Sequence, residues 1–160
     1  MAVTTQQSAQ LALVEADPAR PNPVHEWGGR LRLALFDFTQ SGAGDAGSIA
    51  ELVKLPAGHV RLILPLSRIG FSALGASRTM DLGWAAYADH AGAAVAADPN
   101  GLDDGVDVSS AGSVNPSGTV GGGETMLFSA QDGLVLTAQI NDGTIPNGAT
   151  LKGWFVYVVD

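Results

Sequence analysis

The segment Thr150-Leu-Lys-Gly-Trp-Phe-Val-Tyr-Val-Val-Asp160 decides the fold. In an extended chain Gly153, Phe155, Tyr157 and Val159 share one face, and Trp154, Val156 and Val158 share the other. Both faces are apolar and rich in β-branched and aromatic residues, the pattern of a central strand covered on both sides. Its position at the close of the sequence predicts a C-terminus tied into the core.

Other segments repeat this theme around the strand. Arg30–Phe38 alternates Leu31, Leu33 and Leu35 with Arg32, Ala34 and Phe36, and reads as a first core strand. Ile49–Leu55 reads as a second strand or one short helix, with the strand favoured, ended by the turn Pro56-Ala-Gly58. His59–Ile69 is expected to be a third, with Pro65 marking a bulge or an edge. Phe71–Leu74 and Met80–Tyr87 continue the pattern. Residues 88–118 are rich in Ala, Gly, Asp, Ser and Asn and predict a long, partly ordered loop with one short helix near 101–105. Glu124–Ala130 and Leu134–Ile140 are expected to pair as a hairpin through Gln131-Asp-Gly133. About eight short strands separated by Gly, Asn and Asp turns predict an all-β protein, an antiparallel β-sandwich with a jelly-roll-like body.

Residues 1–29 differ from this body. Pro18, Pro21 and Pro23 remove backbone donors and favour extended chain, so residues 1–29 are assigned as an extended N-terminal arm and residues 30–160 as the sandwich domain. At 160 residues the chain fits one domain plus such an arm. The N-terminus lacks the basic start and apolar run of a signal peptide, and no apolar run reaches the ~20 residues that span a bilayer. No membrane partner is therefore expected.

The net charge of -8 is unevenly placed. Residues 1–78 carry seven basic and six acidic side chains, whereas residues 79–160 carry one and ten. An acidic second half argues against nucleic-acid binding. The chain has no cysteine, so disulfides and thiolate metal sites are excluded.

The chemical motifs are weak. Gly42-Ala-Gly-Asp-Ala-Gly47 matches G-x-G-x-x-G, but Thr39-Gln-Ser41 separates it from the preceding strand and Pro56 leaves no room for a full helix. It reads as a loop between strands. Asp98-Pro-Asn-Gly-Leu-Asp-Asp104 gathers carboxylates without the spacing of a calcium loop, since Ser109 stands at the twelfth position. His25-Glu26 opens an H-E-x-x-H match, but Gly29 replaces the second histidine, and His25, His59 and His90 show no metal-ligand spacing. Gly70-Phe-Ser-Ala-Leu-Gly75 misses the nucleophile-elbow pattern by one residue. No catalytic residue, cofactor or metal is assigned. Trp27, Trp84 and Trp154 are each flanked by glycine, which admits a close backbone or ring. Core packing accounts for such tryptophans, and subunit contacts are the other reading.

Glu51-Leu-Val-Lys-Leu-Pro-Ala-Gly-His-Val60, Met80-Asp-Leu-Gly-Trp-Ala-Ala-Tyr87 with its acidic continuation to Val108, and Gly143-Thr-Ile-Pro-Asn-Gly-Ala-Thr-Leu-Lys-Gly-Trp-Phe-Val-Tyr-Val158 carry a resemblance. Together they make residues 30–160 resemble small virion structural proteins of tailed bacteriophages, in particular capsid decoration (cement) proteins. The resemblance implies a β-sandwich on the outer capsid surface that clamps neighbouring capsomers. It implies the major capsid protein as partner and self-association, with a homotrimer expected first and a dimer second. It implies no catalytic residues.

On that expectation the interface comprises Pro18, Arg20, Pro21, Pro23, His25, Trp27, Arg30 and Trp84, with Arg20, Arg30 and Arg32 turned toward the capsid and the acidic 88–118 segment facing solvent or a neighbouring copy. Other phage parts, such as head fibres, connectors and tail components, use similar bodies. A carbohydrate-binding β-sandwich module is the alternative from another class.

Overall fold

The computed structural model describes Pro18, residues 29–117 and residues 125–159. Among these the chain forms twelve strands. They are β1 (Arg32–Thr39), β2 (Ser48–Leu55), β3 (Gly58–Ile63), β4 (Arg68–Phe71), β5 (Thr79–Trp84) and β6 (Tyr87–Ala88). Then follow β7 (Ala94–Val95), β8 (Asp98–Asp107), β9 (Gly112–Val114), β10 (Thr125–Ala130), β11 (Leu134–Asn141) and β12 (Thr150–Val159). Their pairings are antiparallel. Among the described residues no helix is long and apolar enough to cross a membrane.

Two sheets face each other across one core. β12 is the axis of the larger sheet. On one side it pairs with β1 along its length, from Thr39↔Thr150 to Arg32↔Tyr157. On the other side its first half pairs with β4 and its last residues pair with β3. β9 extends β4, and β10 extends β3. The second sheet runs β2-β11-β5-β8. A separate hairpin, β6-β7, bridges to the end of β10 through Asp89↔Ala130.

The core follows the period of two. β12 contributes Leu151 and Phe155, β3 Val60 and Leu62, β5 Met80 and Leu82, and β11 Leu134, Leu136, Ala138 and Ile140. Aromatic rings pack the core within the larger sheet and between the two sheets. Phe36 stacks on Phe155 with centroids 5.7 Å apart. Trp84 of one sheet meets Phe128 of the other edge-on at 5.1 Å.

Two of the tryptophan-flanking glycines are sites of close backbone approach. A Cβ on Gly153 would overlap the Arg68 carbonyl oxygen of β4, and a Cβ on Gly83 would overlap the Asp98 carbonyl of β8. The Trp84 ring lies against Gly101 in the same way.

Several sequence expectations are corrected. Residues 88–118 are not a long loop with a short helix near 101–105: β6, β7, β8 and β9 lie there. β8 holds its place because Gly83 and Gly101 let an irregular, polar strand lie close against β5 and Trp84. Gln131-Asp-Gly133 is not a hairpin, because β10 pairs with β3 and β11 with β2 and β5, so this turn carries the chain from one sheet to the other. Pro65 divides the expected third strand, since Leu64–Leu66 forms a 3-10 turn between β3 and β4. The alternation over residues 30–38, which left open which face turns inward, is resolved by the fold. Ala34, Phe36 and Phe38 face inward, while Leu31, Leu33 and Leu35 lie outside.

Candidate interaction surface

The ionisable side chains are used mainly to fasten the chain. Asp103 is buried and accepts hydrogen bonds from the backbone N–H groups of Asp104 (3.1 Å) and Ser117 (3.2 Å) and from the Ser117 hydroxyl (3.2 Å). Asp81 accepts from Gly105 N–H at 2.9 Å and from the Asn141 amide at 2.6 Å, tying β5 to β8 and β11. Asp107 accepts from Ser109 N–H at 2.9 Å, and hydrogen bonds from Ser109 hold its carboxyl below the ordinary range. The acidic stretch is thus built into turns and a sheet edge.

The Gly42–Gly47 segment is a loop pinned to a second loop. Gly44 bridges Ile145, and Gly42 N–H donates to Asn147 Oδ1 at 2.8 Å. Gly42 and Gly47 adopt φ of 75° and 82°, and the chain then enters β2 with no phosphate-cradling helix.

His59 and His90 come together with ring centroids 5.6 Å apart, a pairing that spacing along the chain does not reveal. Among the described residues no group of three or more His, Asp or Glu side chains could hold a metal. A cleft of about 350 Å³ lies beside β2, β5 and β11, lined by Ile49, Glu51, Ala85, Pro99, Thr137 and Gln139 among others. Among the described residues Glu51 is its one ionisable lining group. Tyr87 packs on Phe128, and burial, followed by the nearby Asp89 charge, pushes its phenol above the ordinary value.

Of the interface residues expected from sequence, Pro18 and Arg30 are exposed. Arg20, Pro21, Pro23, His25 and Trp27 lie outside the described residues, as does almost all of the assigned arm. Trp84 is only 8% exposed and belongs to the core, where its indole N–H is buried with no hydrogen-bond partner among the described residues.

The surface that stands out apolar is the outer side of β1. Leu31, Leu33 and Leu35 are 61%, 54% and 71% exposed. Beside them on β12, Val156 pairs with Leu33 and Trp154 with Leu35. This side is held rigidly. Ser67, fully buried, donates to the Ile63 carbonyl (3.0 Å) and accepts from Val156 N–H (3.0 Å). Trp154 Nε1–H donates to the Leu66 carbonyl at 2.9 Å, and the Asn115 amide donates to the Ser67 carbonyl at 2.6 Å. The 3-10 turn is thereby fastened to β12. Lys152 and Asp37 form an exposed ion pair at 3.0 Å at the far end of β1. Sequence alternation signals two faces for β1, but not which one is turned outward.

No protein-family model matches the chain, and no curated protein matches its sequence. Solved structures do match its fold. A chain in the capsid of Ralstonia phage GP4 superposes with a TM-score of 0.63 at 23% identity, over 88% of this chain and 92% of that one. A chain in the capsid asymmetric unit of cyanophage Pam1 superposes with a TM-score of 0.56 at 13% identity, over 91% of this chain and 97% of that one. At these identities the likeness is one of architecture: the chain has an antiparallel β-sandwich fold similar to that of chains in two phage capsids.

Proposed function

We propose that this chain is a structural protein of a bacteriophage virion, without enzymatic activity, that decorates the outer capsid surface and bridges neighbouring shell subunits. The observation that carries this reading is the end-to-end match to chains of similar length in two phage capsids. A match over nearly all of both chains supports a small separate shell component, as a decoration protein would be. The site chemistry is compatible with this role, since the carboxylates serve as fastenings and, among the described residues, the cleft beside β2 holds a single ionisable group. A carbohydrate-binding role finds little support, because Phe36, Phe71, Trp84, Phe128 and Phe155 are buried and form no flat exposed platform.

A protein that binds only the assembled shell stabilises it by mass action, and many identical copies multiply a modest contact. In this reading the proline-rich residues 1–29 reach the major capsid protein. Extended, proline-restricted chain loses less entropy on docking than a glycine-rich tail would. The test mixes purified protein with shells that lack it and separates them by sedimentation. The full chain is expected to pellet with shells, and a form lacking residues 1–28 is expected to stay in the supernatant while keeping its folded spectrum. Failure of the full chain to pellet overturns the capsid reading. Wild-type occupancy by the truncated form overturns the role of the arm.

A further inference from the structure

Among the described residues β1 is an edge strand. Tyr157 of β12 pairs with Arg32 on one side and Leu62 on the other, which places β1 at the rim of the larger sheet. Natural edge strands are usually blunted by proline, lysine or a bulge. β1 has no proline, lysine or bulge, and its charged residues, Arg32 and Asp37, flank the apolar Leu33–Phe36: its register against β12 is unbroken over eight residues, and its sequence is Arg-Leu-Ala-Leu-Phe-Asp-Phe-Thr. Just beyond the strand, Gln40 N–H donates to the Ala149 carbonyl, so even-numbered residues address β12. By the alternation of an antiparallel ladder, Leu33, Leu35 and Asp37 then turn their N–H and C=O groups toward the open rim. The leucines that expose their side chains therefore also carry the outward-facing backbone groups.

We infer that β1 pairs antiparallel with β1 of a second copy of this chain, about a two-fold axis at Leu33, joining the two larger sheets into one. The pattern Leu31-x-Leu33-x-Leu35 reads the same from either end. A two-fold contact demands this self-complementarity, since each residue must meet its own symmetry mate or a residue that meets it in return. Centred on Leu33, Leu33 faces Leu33, and Leu31 faces Leu35 on the same side of the joined sheet. Each of these lies at a hydrogen-bonded position of the new ladder. With only the leucine side chains and the joined backbones in contact, the pair falls at the small, reversible end of specific interfaces.

Charge favours this edge over the opposite one. β8, with Asp98, Asp103, Asp104 and Asp107, is at the far side of its sheet from β2, and β2 is the strand of that sheet packed against β1. Pairing through β1 keeps the two acidic edges apart. The two copies of β1 then run in opposite directions, which on the capsid reading lets one pair contact two shell subunits. The pairing itself does not depend on that reading.

The chain has no cysteine, so single-cysteine variants report the register cleanly. Opposed residues at a hydrogen-bonded position have Cα atoms about 5.5 Å apart, within disulfide reach. Leu33→Cys is expected to oxidise to a covalent dimer at least about tenfold faster than Leu31→Cys or Leu35→Cys alone, while a mixture of those two cross-links to each other. Light scattering should show the wild type as a concentration-dependent dimer and Leu33→Glu as a folded monomer. The inference is overturned if Leu33→Cys cross-links no faster than Leu35→Cys. It is also overturned if cross-linking appears only after residues 1–28 are removed, since the chain's own N-terminal segment would then occupy the edge. Rapid cross-linking of a protein that fails to pellet with shells would leave the pairing intact and remove the capsid reading alone.

Discussion

Gly153→Ala probes the axis of the fold. Gly153 lies opposite Ile69 of β4 and Phe36 of β1 in the middle of β12. Its φ is not in the left-handed region, so alanine brings no backbone penalty of its own. The penalty is steric. The new methyl would overlap the Arg68 carbonyl oxygen, with Arg68 C at 3.0 Å and Ile69 Cα at 3.1 Å directly behind it. These are backbone atoms, so no side chain can rotate away. β4 must retreat by roughly 1 Å, enough to carry ladder bonds of ordinary length beyond hydrogen-bonding distance.

Overpacking of this kind costs ~1–3 kcal/mol, and each lost ladder bond adds about 1 kcal/mol. About 3 kcal/mol is expected, a fall in Tm of roughly 6–12 °C for a chain of this size. Gly70→Ala is the control in the same pair of strands. Its nearest neighbour would be the Lys152 carbonyl oxygen at 3.4 Å, an ordinary contact, so its Tm should stay within about 2 °C of wild type. Thermal unfolding followed by circular dichroism measures both. Equal melting temperatures for Gly153→Ala and Gly70→Ala would refute the claim that Gly153 exists to admit β4.

Two further outcomes follow from groups beside the leucine edge and the aromatic cluster. Ser67→Ala should cost about 2 kcal/mol, because it strands the buried Val156 N–H, and should lower the urea midpoint without changing the slope; an unchanged midpoint would remove Ser67 as the fastening of the 3-10 turn. For Tyr87 the folded phenol titrates above its ordinary value near 10, so the neutral form is the one the fold favours. Its contribution to stability is complete below that value and is lost as pH rises through the folded value. Tyr87→Phe should therefore flatten the alkaline fall in stability measured by urea unfolding, and superimposable wild-type and variant curves would contradict the assignment.

The legible parts of the fold were those whose local pattern admits one solution. Thr150–Val159 is apolar on both faces, which only a central strand satisfies, and β12 is paired on both sides. The glycines beside Trp84 and Trp154 signal close approach, and backbone carbonyls of β8 and β4 lie over them. What stayed hidden depends on partners distant in sequence. Asp98–Asp107 carries four aspartates, a proline and two glycines, and becomes a strand because β5 and its glycine accept it. Gln131-Asp-Gly133 has the chemistry of a tight turn, but that chemistry serves a hairpin and a crossing between sheets equally well. In β1 the alternation was visible, yet Phe36 takes the inner side because Phe155 is there to stack on it, and the leucines are left outside. The leucine edge and the meeting of His59 with His90 are therefore products of topology.

Copy number per particle tests the central proposal most directly. Gradient-purified virions of the kind the proposal requires, those in which this chain is found, would be analysed by quantitative mass spectrometry against the major shell protein. A decoration role predicts copies in fixed, near-stoichiometric proportion to the shell protein, released as intact folded chains under conditions that leave the shell assembled. A handful of copies per particle, or none, would contradict it.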